Sequence, residues 1–232
     1  MLTVTGIIAG YRGEPILHGV DMKAETNRVT TVLGPNGAGK STLFKALLGF
    51  LELQGGSVLV GERDLSRLSP YRRVRAGLGY VPQLGRIFPS LTVKENLEMG
   101  GFVGKVEERR HIDEIHEIFP DLKKLSRAKA GELSGGQQTM LGMGRALMLK
   151  PKVLLLDEPT AGLSPLYTDR VWESVRGVAS LGVAVLVIEQ NVTTALRHSD
   201  YCYILRDGRN ATEGIPEALE GRQEVEGLFL GA

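Results

Sequence analysis

Gly34-Pro35-Asn36-Gly37-Ala38-Gly39-Lys40-Ser41 is the stretch that most constrains how this chain can fold, because G-x-x-x-x-G-K-S works only between a buried strand and the start of a helix. Both neighbours read that way. Val29-Thr30-Thr31-Val32-Leu33 is a short β-branched and apolar run, and Thr42–Leu48 is an apolar helical stretch. Glycines let backbone N–H groups wrap phosphate oxygens with no Cβ in the way, and the helix N-terminus turns the positive end of its dipole to the same anion. The segment predicts a nucleoside triphosphate site cradled by Gly34 through Thr42. Lys40 reaches the β- and γ-phosphates. The Ser41 hydroxyl ligates Mg²⁺, an ion that keeps most of its octahedral shell and takes only one or two protein oxygens.

The 232 residues allow one compact domain or two closely joined lobes. A net charge of +1, with 24% charged residues, shows no excess of base that would argue for wrapping nucleic acid or coating an anionic membrane, and charge stays neutral on partners; nucleic acid is not among the partners expected. The single cysteine, Cys202, sits in the apolar run Tyr201–Leu205, where a buried free thiol is expected, and the absence of a disulfide framework suits the cytosol. Met1-Leu2-Thr3-Val4-Thr5 lacks the pattern of a signal peptide, and no stretch approaches the ~18 apolar residues of a spanning helix. The chain is therefore expected to be soluble, with any membrane role coming through a partner.

Runs at Val29–Leu33, Val153–Leu156, Val183–Ile188 and Tyr201–Leu205 are nearly continuous in apolar residues, as strands of a parallel sheet covered on both faces should be. With helical stretches at Thr42–Leu48 and Leu166–Leu181, they predict a doubly wound α/β core. Leu2–Ile8 and Ile16–Lys23 alternate polar and apolar in short runs and suit a small antiparallel sheet. Between Pro89 and Lys150 the pattern changes. Val106–Phe119 carries charges with Ile112, Ile115, Ile118 and Phe119 at helical spacing, which reads as a helical lobe. The stretch Gly208–Ala232 reads as a small helical tail packed on the core through Leu219, Val225, Leu228, Phe229 and Leu230.

Two further constellations carry chemistry. The apolar strand Val153–Leu156 ends in Asp157-Glu158, and chemistry sits where such strands end. Neighbouring strand residues point to opposite sides, so Asp157 can face the Mg²⁺ shell while Glu158 faces another neighbour, such as an attacking water. Taken alone the pair is equally well the start of a solvated loop; the phosphate loop in the same chain favours the metal-and-base reading. Leu133-Ser134-Gly135-Gly136-Gln137 is a glycine turn feeding a second helix. In isolation it reads as a serine N-cap with a turn. A second anion-binding helix start makes sense if it caps the γ-phosphate held by a partner.

The phosphate loop, Leu133–Gln137 and Val153–Glu158, in this order, resemble the ATP-binding cassette (ABC) ATPases over essentially the whole chain. The resemblance implies an α/β phosphate-loop NTPase with a RecA-like parallel-sheet core, an N-terminal antiparallel β subdomain and an inserted helical subdomain. It implies one nucleotide-binding domain over 1–232, with 1–88 and 151–232 as the catalytic lobe and 89–150 as the helical lobe. It gives Tyr11 the stacking on adenine, Gln83 contact with Mg²⁺ and the γ-phosphate, and Ser134, Gly135, Gly136 and Gln137 a place on the ATP held by another cassette. Glu158 becomes the base, with Lys40 offsetting charge. Two cassettes then close head to tail over ATP.

Two departures from the family pattern stand out. Ser164, in Ala161-Gly162-Leu163-Ser164-Pro165, occupies the position of an aspartate, and Gln190, in Val187-Ile188-Glu189-Gln190-Asn191, stands where the family has its switch histidine. Glutamine can donate a hydrogen bond but cannot accept a proton in ordinary chemistry, so Gln190 is expected to position the phosphate while Glu158 remains the base. Together with Arg86-Ile87-Phe88-Pro89-Ser90-Leu91-Thr92-Val93-Lys94-Glu95-Asn96-Leu97, these segments are similar to the LivF-type ATPase subunits of bacterial branched-chain amino acid importers. That branch implies a peripheral subunit at the cytoplasmic face of the membrane. Its partners would be a LivG-like second cassette, or a second copy, two permeases, and indirectly a solute-binding protein, with Gln83–Asn96 meeting the permease. An importer of another polar solute, such as urea or short amides, is the nearest alternative. A soluble ABC ATPase acting on DNA or ribosomes lacks its usual coiled-coil insertion or second cassette here. A plain phosphate-loop kinase has no use for Leu133–Gln137.

Overall fold

The computed structural model describes residues 1–102, 108–221 and 225. The chain opens with an antiparallel hairpin of β1 (Leu2–Tyr11) and β2 (Glu14–Ala24). Arg12 and Gly13, between them, both have positive φ (52° and 87°), the geometry of a two-residue turn whose twist matches that of the strands. Next come β3 (Val29–Leu33), the phosphate loop and α1 (Lys40–Leu48), followed by β4 (Leu53–Val60) and β5 (Arg63–Asp64). The first sheet has the order β2-β1-β4-β5. Beyond it lie α2 (Pro70–Arg75), β6 (Leu78–Val81), α3 (Val93–Gly101), α4 (Glu108–Ile118), α5 (Pro120–Lys124) and α6 (Gly135–Leu147). The chain continues through β7 (Val153–Asp157), α7 (Pro165–Ser180), β8 (Ala184–Ile188), α8 (Val192–His198), β9 (Tyr201–Arg206), β10 (Arg209–Gly214) and α9 (Pro216–Leu219).

Among the described residues the second sheet has six strands in the order β10-β9-β3-β8-β7-β6. All its pairings are parallel except that of β10 with β9. The expected coverage of both faces follows from the two-residue period of a strand. Val153, Leu155, Leu186 and Ile188 enter one core with α1 and the first sheet, through Leu43, Phe44, Leu47, Leu17 and Val20. Leu154, Leu156, Val185 and Val187 enter the other, with Leu141 and Met143 of α6 and Val171, Trp172 and Val175 of α7. Val93, Leu97, Ile112, Ile115 and Phe119 join this second core. The segment read as helical thus carries α3–α6 and shares the apolar layer of the parallel sheet. Val106 lies outside the described residues.

The expected strands and helices sit within a residue or two of their observed bounds, except that β1 runs on to Tyr11, three residues past Ile8. The tail is different. Arg209–Gly214 is an edge strand rather than helix, and α9 alone is helical before Gly221. Leu219 and Val225 are buried with Leu33 and Ile204, as the packing of a tail requires, and Leu228, Phe229 and Leu230 lie outside the described residues. Cys202 is free and buried, and burial pushes its thiol up to about 11.

One buried charge fixes the helix behind the phosphate loop. Arg73 donates to the carbonyls of Ala46 and Leu47 at 2.7 Å each, at the C-terminal end of α1, and to Leu68 O and Ser66 O at 2.9 and 2.8 Å. A guanidinium there meets carbonyls the helix leaves unpaired and opposes the negative end of its dipole.

Candidate active site

The functional segments converge because parallel strands end together. The phosphate loop leaves β3, Gln83 follows β6, Asp157 and Glu158 end β7, and Glu189 and Gln190 follow β8, all at the carboxyl edge of one sheet.

Gly39 heads α1 with φ 99°, a left-handed conformation that L side chains resist, and a Cβ at Gly34 would stand 2.3 Å from Leu205 O. These two positions explain why the loop needs glycine. Lys40 is buried, and its Nζ crosses the loop to donate to Gly34 O at 2.6 Å and Pro35 O at 2.9 Å. Burial pushes its pKa down, while the carboxylates of Glu158 and Asp157 oppose that shift. Asn36 and Gly37 at the apex are exposed, as is Ser41 at the head of α1. Tyr11 ends β1 as a residue 40% exposed, its hydroxyl accepting from Lys45 Nζ at 3.0 Å, and Thr42 lies buried beside it.

Glu158 is the hub. Its Oε2 accepts from Gln83 Nε2 at 2.7 Å and its Oε1 accepts from Gln190 Nε2. Three segments distant in sequence thus meet on one carboxylate. The divergence of Asp157 and Glu158, expected from strand alternation, has another cause. The strand stops at Asp157, and Glu158 takes φ 46°, a left-handed conformation that costs on the order of 1–3 kcal/mol and persists only where its surroundings over-determine it. Asp157 accepts from the Tyr80 hydroxyl at 3.3 Å. Burial, then the neighbouring Glu158, raises the Asp157 carboxyl, and burial beside Asp157 pushes the Tyr80 phenol up to about 12.

The serine cap at the start of α6 is formed. Ser134 N–H donates to Gln137 Oε1 at 3.0 Å and Gln137 N–H reaches back to Ser134 Oγ at 3.4 Å, a capping box. Ser134–Gln137 also packs against the loop that follows the carboxylates. A Cβ on Gly135 would come within 2.9 Å of Leu163, and one on Gly136 within 3.0 Å of Tyr167. Ser164 holds the N-cap position of α7 without a side-chain cap bond.

Among the described residues no cluster of His, Cys, Asp and Glu forms a metal cage. The donors at hand suit Mg²⁺ held largely by phosphate oxygens: an exposed hydroxyl on Ser41 and a half-buried carboxylate on Asp157. Residues the sequence did not single out also belong to the site. Tyr80 holds Asp157, and Thr160, Glu189, Thr139 and Arg86 frame the Glu158 turn. The one signal the sequence carried among them was Glu189, an acidic residue closing the apolar run Val183–Ile188 directly before Gln190.

The ABC transporter family model matches residues 17–161. The chain is 39% identical to the "Probable branched-chain amino acid transport ATP-binding protein LivF" of Archaeoglobus fulgidus, over 100% of this chain and 99% of that protein. It is 38% identical to the "High-affinity branched-chain amino acid transport ATP-binding protein BraG" of Pseudomonas aeruginosa, over all of both chains. A crystal structure of the ADP conformation of an ATP-binding cassette of an ABC transporter superposes with a TM-score of 0.88 at 28% identity, covering 100% of this chain and 99% of that one.

Proposed function

The chain belongs to the ABC transporter ATP-binding family, and from that premise we propose that it is the ATP-hydrolysing subunit of an importer for branched-chain amino acids. The observation that carries the catalytic part is the meeting of Gln83 and Gln190 on the Glu158 carboxylate at the sheet edge that holds the phosphate loop. Full-length likeness to two proteins named for branched-chain amino acid transport supports the choice of solute.

In this reading Tyr11 stacks on adenine, and residues 34–42 wrap the phosphates with N–H groups. Lys40 exchanges the carbonyls of Gly34 and Pro35 for phosphate oxygens. Ser41, Gln83 and Asp157 would hold Mg²⁺, which would supply charge neutralisation for the phosphates. Glu158 takes a proton from the water that attacks the γ-phosphorus, and the two glutamine amides keep its carboxylate aimed. Ser134–Gln137 completes the site of a facing cassette, either a LivG-like chain or a second copy, so ATP favours the closed pair through its differential affinity for it. The whole chain acts as one nucleotide-binding domain, with 89–150 as its helical lobe between 1–88 and 151–232.

Gln190→Ala is expected to lower ATP turnover about tenfold while ATP affinity stays within about twofold, because one of the two amides aiming Glu158 is lost. Gln190→His keeps an N–H donor and should retain turnover. Phosphate release measures both, and native rates in both variants would remove Gln190 from the mechanism.

No helix among the described residues is long and apolar enough to cross a membrane. The chain works at the cytoplasmic face by docking on two permeases, fed by a solute-binding protein, through Gln83–Asn96. That segment presents exposed Leu84 and Phe88, and Arg145 lies 4.9 Å over the Phe88 ring. Buried Asn96 fixes the backbone there, accepting from Phe88 N–H at 2.7 Å and donating to Phe88 O at 3.0 Å. Phe88→Ala should cut transport about tenfold or more with ATP affinity within about twofold of native, since the ring is an exposed anchor rather than part of the phosphate site. Loss of ATP binding in that variant counts against docking. Gentle purification of the tagged chain from solubilised membranes tests the assembly. A second cassette and multi-span permeases identified by mass spectrometry support it; recovery with nucleic acid or ribosomes overturns it.

A further inference from the structure

Glu189 is 3% exposed, and among the described residues it has no cationic partner. A buried carboxylate without a counter-charge is expensive unless hydrogen bonds satisfy both oxygens. Here they do. Oε1 accepts from Thr160 Oγ1 at 2.6 Å and from Thr160 N–H at 3.3 Å, and Oε2 accepts from Gln190 N–H at 3.1 Å. One side chain therefore ties the residue two places beyond Glu158 to the backbone of the residue whose amide aims Glu158. The same turn is held from its other side. Thr139 Oγ1, on α6, shares its one proton between Pro159 O at 3.2 Å and Gly135 O at 3.1 Å, and itself accepts from Arg86.

These contacts account for the strained turn. Glu158, at φ 46°, is tied by its own N–H to Ile188 O at 3.0 Å and its carbonyl accepts from Ala161 N–H at 3.2 Å, but these bonds close the turn without linking it to Gln190. We propose that Glu189 is a positioning residue for ATP hydrolysis, its carboxylate clamping Thr160 and Gln190 together so that the Glu158 turn and the Gln190 amide keep one relative placement. The inference rests on the reading of Glu158 as the base. Burial raises the Glu189 carboxyl above the usual carboxylate range, in keeping with a group held away from water, while its three donors and Glu158 complete its surroundings.

Glu189→Gln is a discriminating change, because it keeps the shape but leaves one acceptor oxygen where two are used and sets its NH₂ group against a donor. ATP turnover, ATP affinity and thermal stability are measured on the purified transporter assembly for the native chain, Glu189→Gln, Thr160→Val, Thr160→Ser and the Glu189→Gln/Thr160→Val pair. Each clamp-breaking variant should lose about tenfold in kcat, the worth of roughly one hydrogen bond, with KM for ATP within about twofold. The double variant should lose no more than either single one, since both cut the same link. Thr160→Ser, which keeps the hydroxyl, should turn over at the native rate. The melting temperature should stay within about 4 °C of native, because replacing a buried carboxylate with a neutral amide also removes its desolvation cost. Turnover of Glu189→Gln within about twofold of native, losses that multiply in the double variant, or losses that track a falling melting temperature would overturn the clamp. Absence of ATP hydrolysis by the native assembly would instead overturn the catalytic reading beneath it.

Discussion

Glu158→Gln should lower ATP turnover by about 10³-fold and leave ATP bound, because it removes the proton acceptor while keeping the shape of the side chain. The range expected for a positioned general base is about 10²–10⁴-fold. The native carboxylate accepts from Gln83 and Gln190 on separate oxygens, so the amide also loses one of these bonds. Neither loss touches the phosphate loop, whose N–H groups and Lys40 carry ATP affinity. The variant should therefore accumulate as a closed, ATP-bound pair of cassettes. Phosphate release reports the rate and sedimentation with and without ATP reports the pairing. A variant that hydrolyses ATP at the native rate would remove Glu158 from the role of base.

Lys40→Ala should weaken ATP binding by about 10²–10³-fold. The Lys40 ammonium spans the loop to Gly34 O and Pro35 O, which puts it in the middle of the cradle. Bonds from a charged donor are worth roughly 1.5–3 kcal/mol each, so losing one or two of them to phosphate oxygens corresponds to that range. Burial has already stripped much of its water, so less hydration is lost when phosphate arrives than for an exposed lysine. The fold should hold, since α1 is capped at its other end by Arg73 and packed through Leu43, Phe44 and Leu47. Titration with a fluorescent ATP analogue measures the loss; affinity within a few-fold of native would place the triphosphate elsewhere.

What was legible in the sequence follows the physics of each element. β3, β7, β8 and β9 were readable because strands covered on both faces are continuous apolar runs, and the phosphate loop because its glycines and Lys40 have few other uses. The short strand β6, Leu78-Gly79-Tyr80-Val81, was missed because four residues with a central glycine carry no period, although its neighbour β7 supplies the pairing. β10 was missed for a different reason. Arg209-Asn210-Ala211-Thr212-Glu213-Gly214 is a polar edge strand with only alternate residues partly covered, and with no apolar run to mark it, it reads with the residues after it as a helical tail. Adjacent carboxylates at Asp157-Glu158 were legible as a strand end, but the left-handed turn at Glu158 was not, since only tertiary contacts hold a glutamate there. The meeting of Gln83 and Gln190 on Glu158 spans 75 and 32 residues of sequence and becomes visible only when β6, β7 and β8 lie side by side.

ATP-driven uptake of radiolabelled leucine into right-side-out vesicles bearing the complete transporter, with ATP enclosed on the cassette side and the solute-binding protein outside, tests the central claim most directly. Vesicles with the native chain should accumulate leucine when ATP reaches the cassette side, and vesicles with Glu158→Gln should not. Leucine uptake indifferent to Glu158→Gln, or uptake of urea and short amides in place of leucine, would contradict the account.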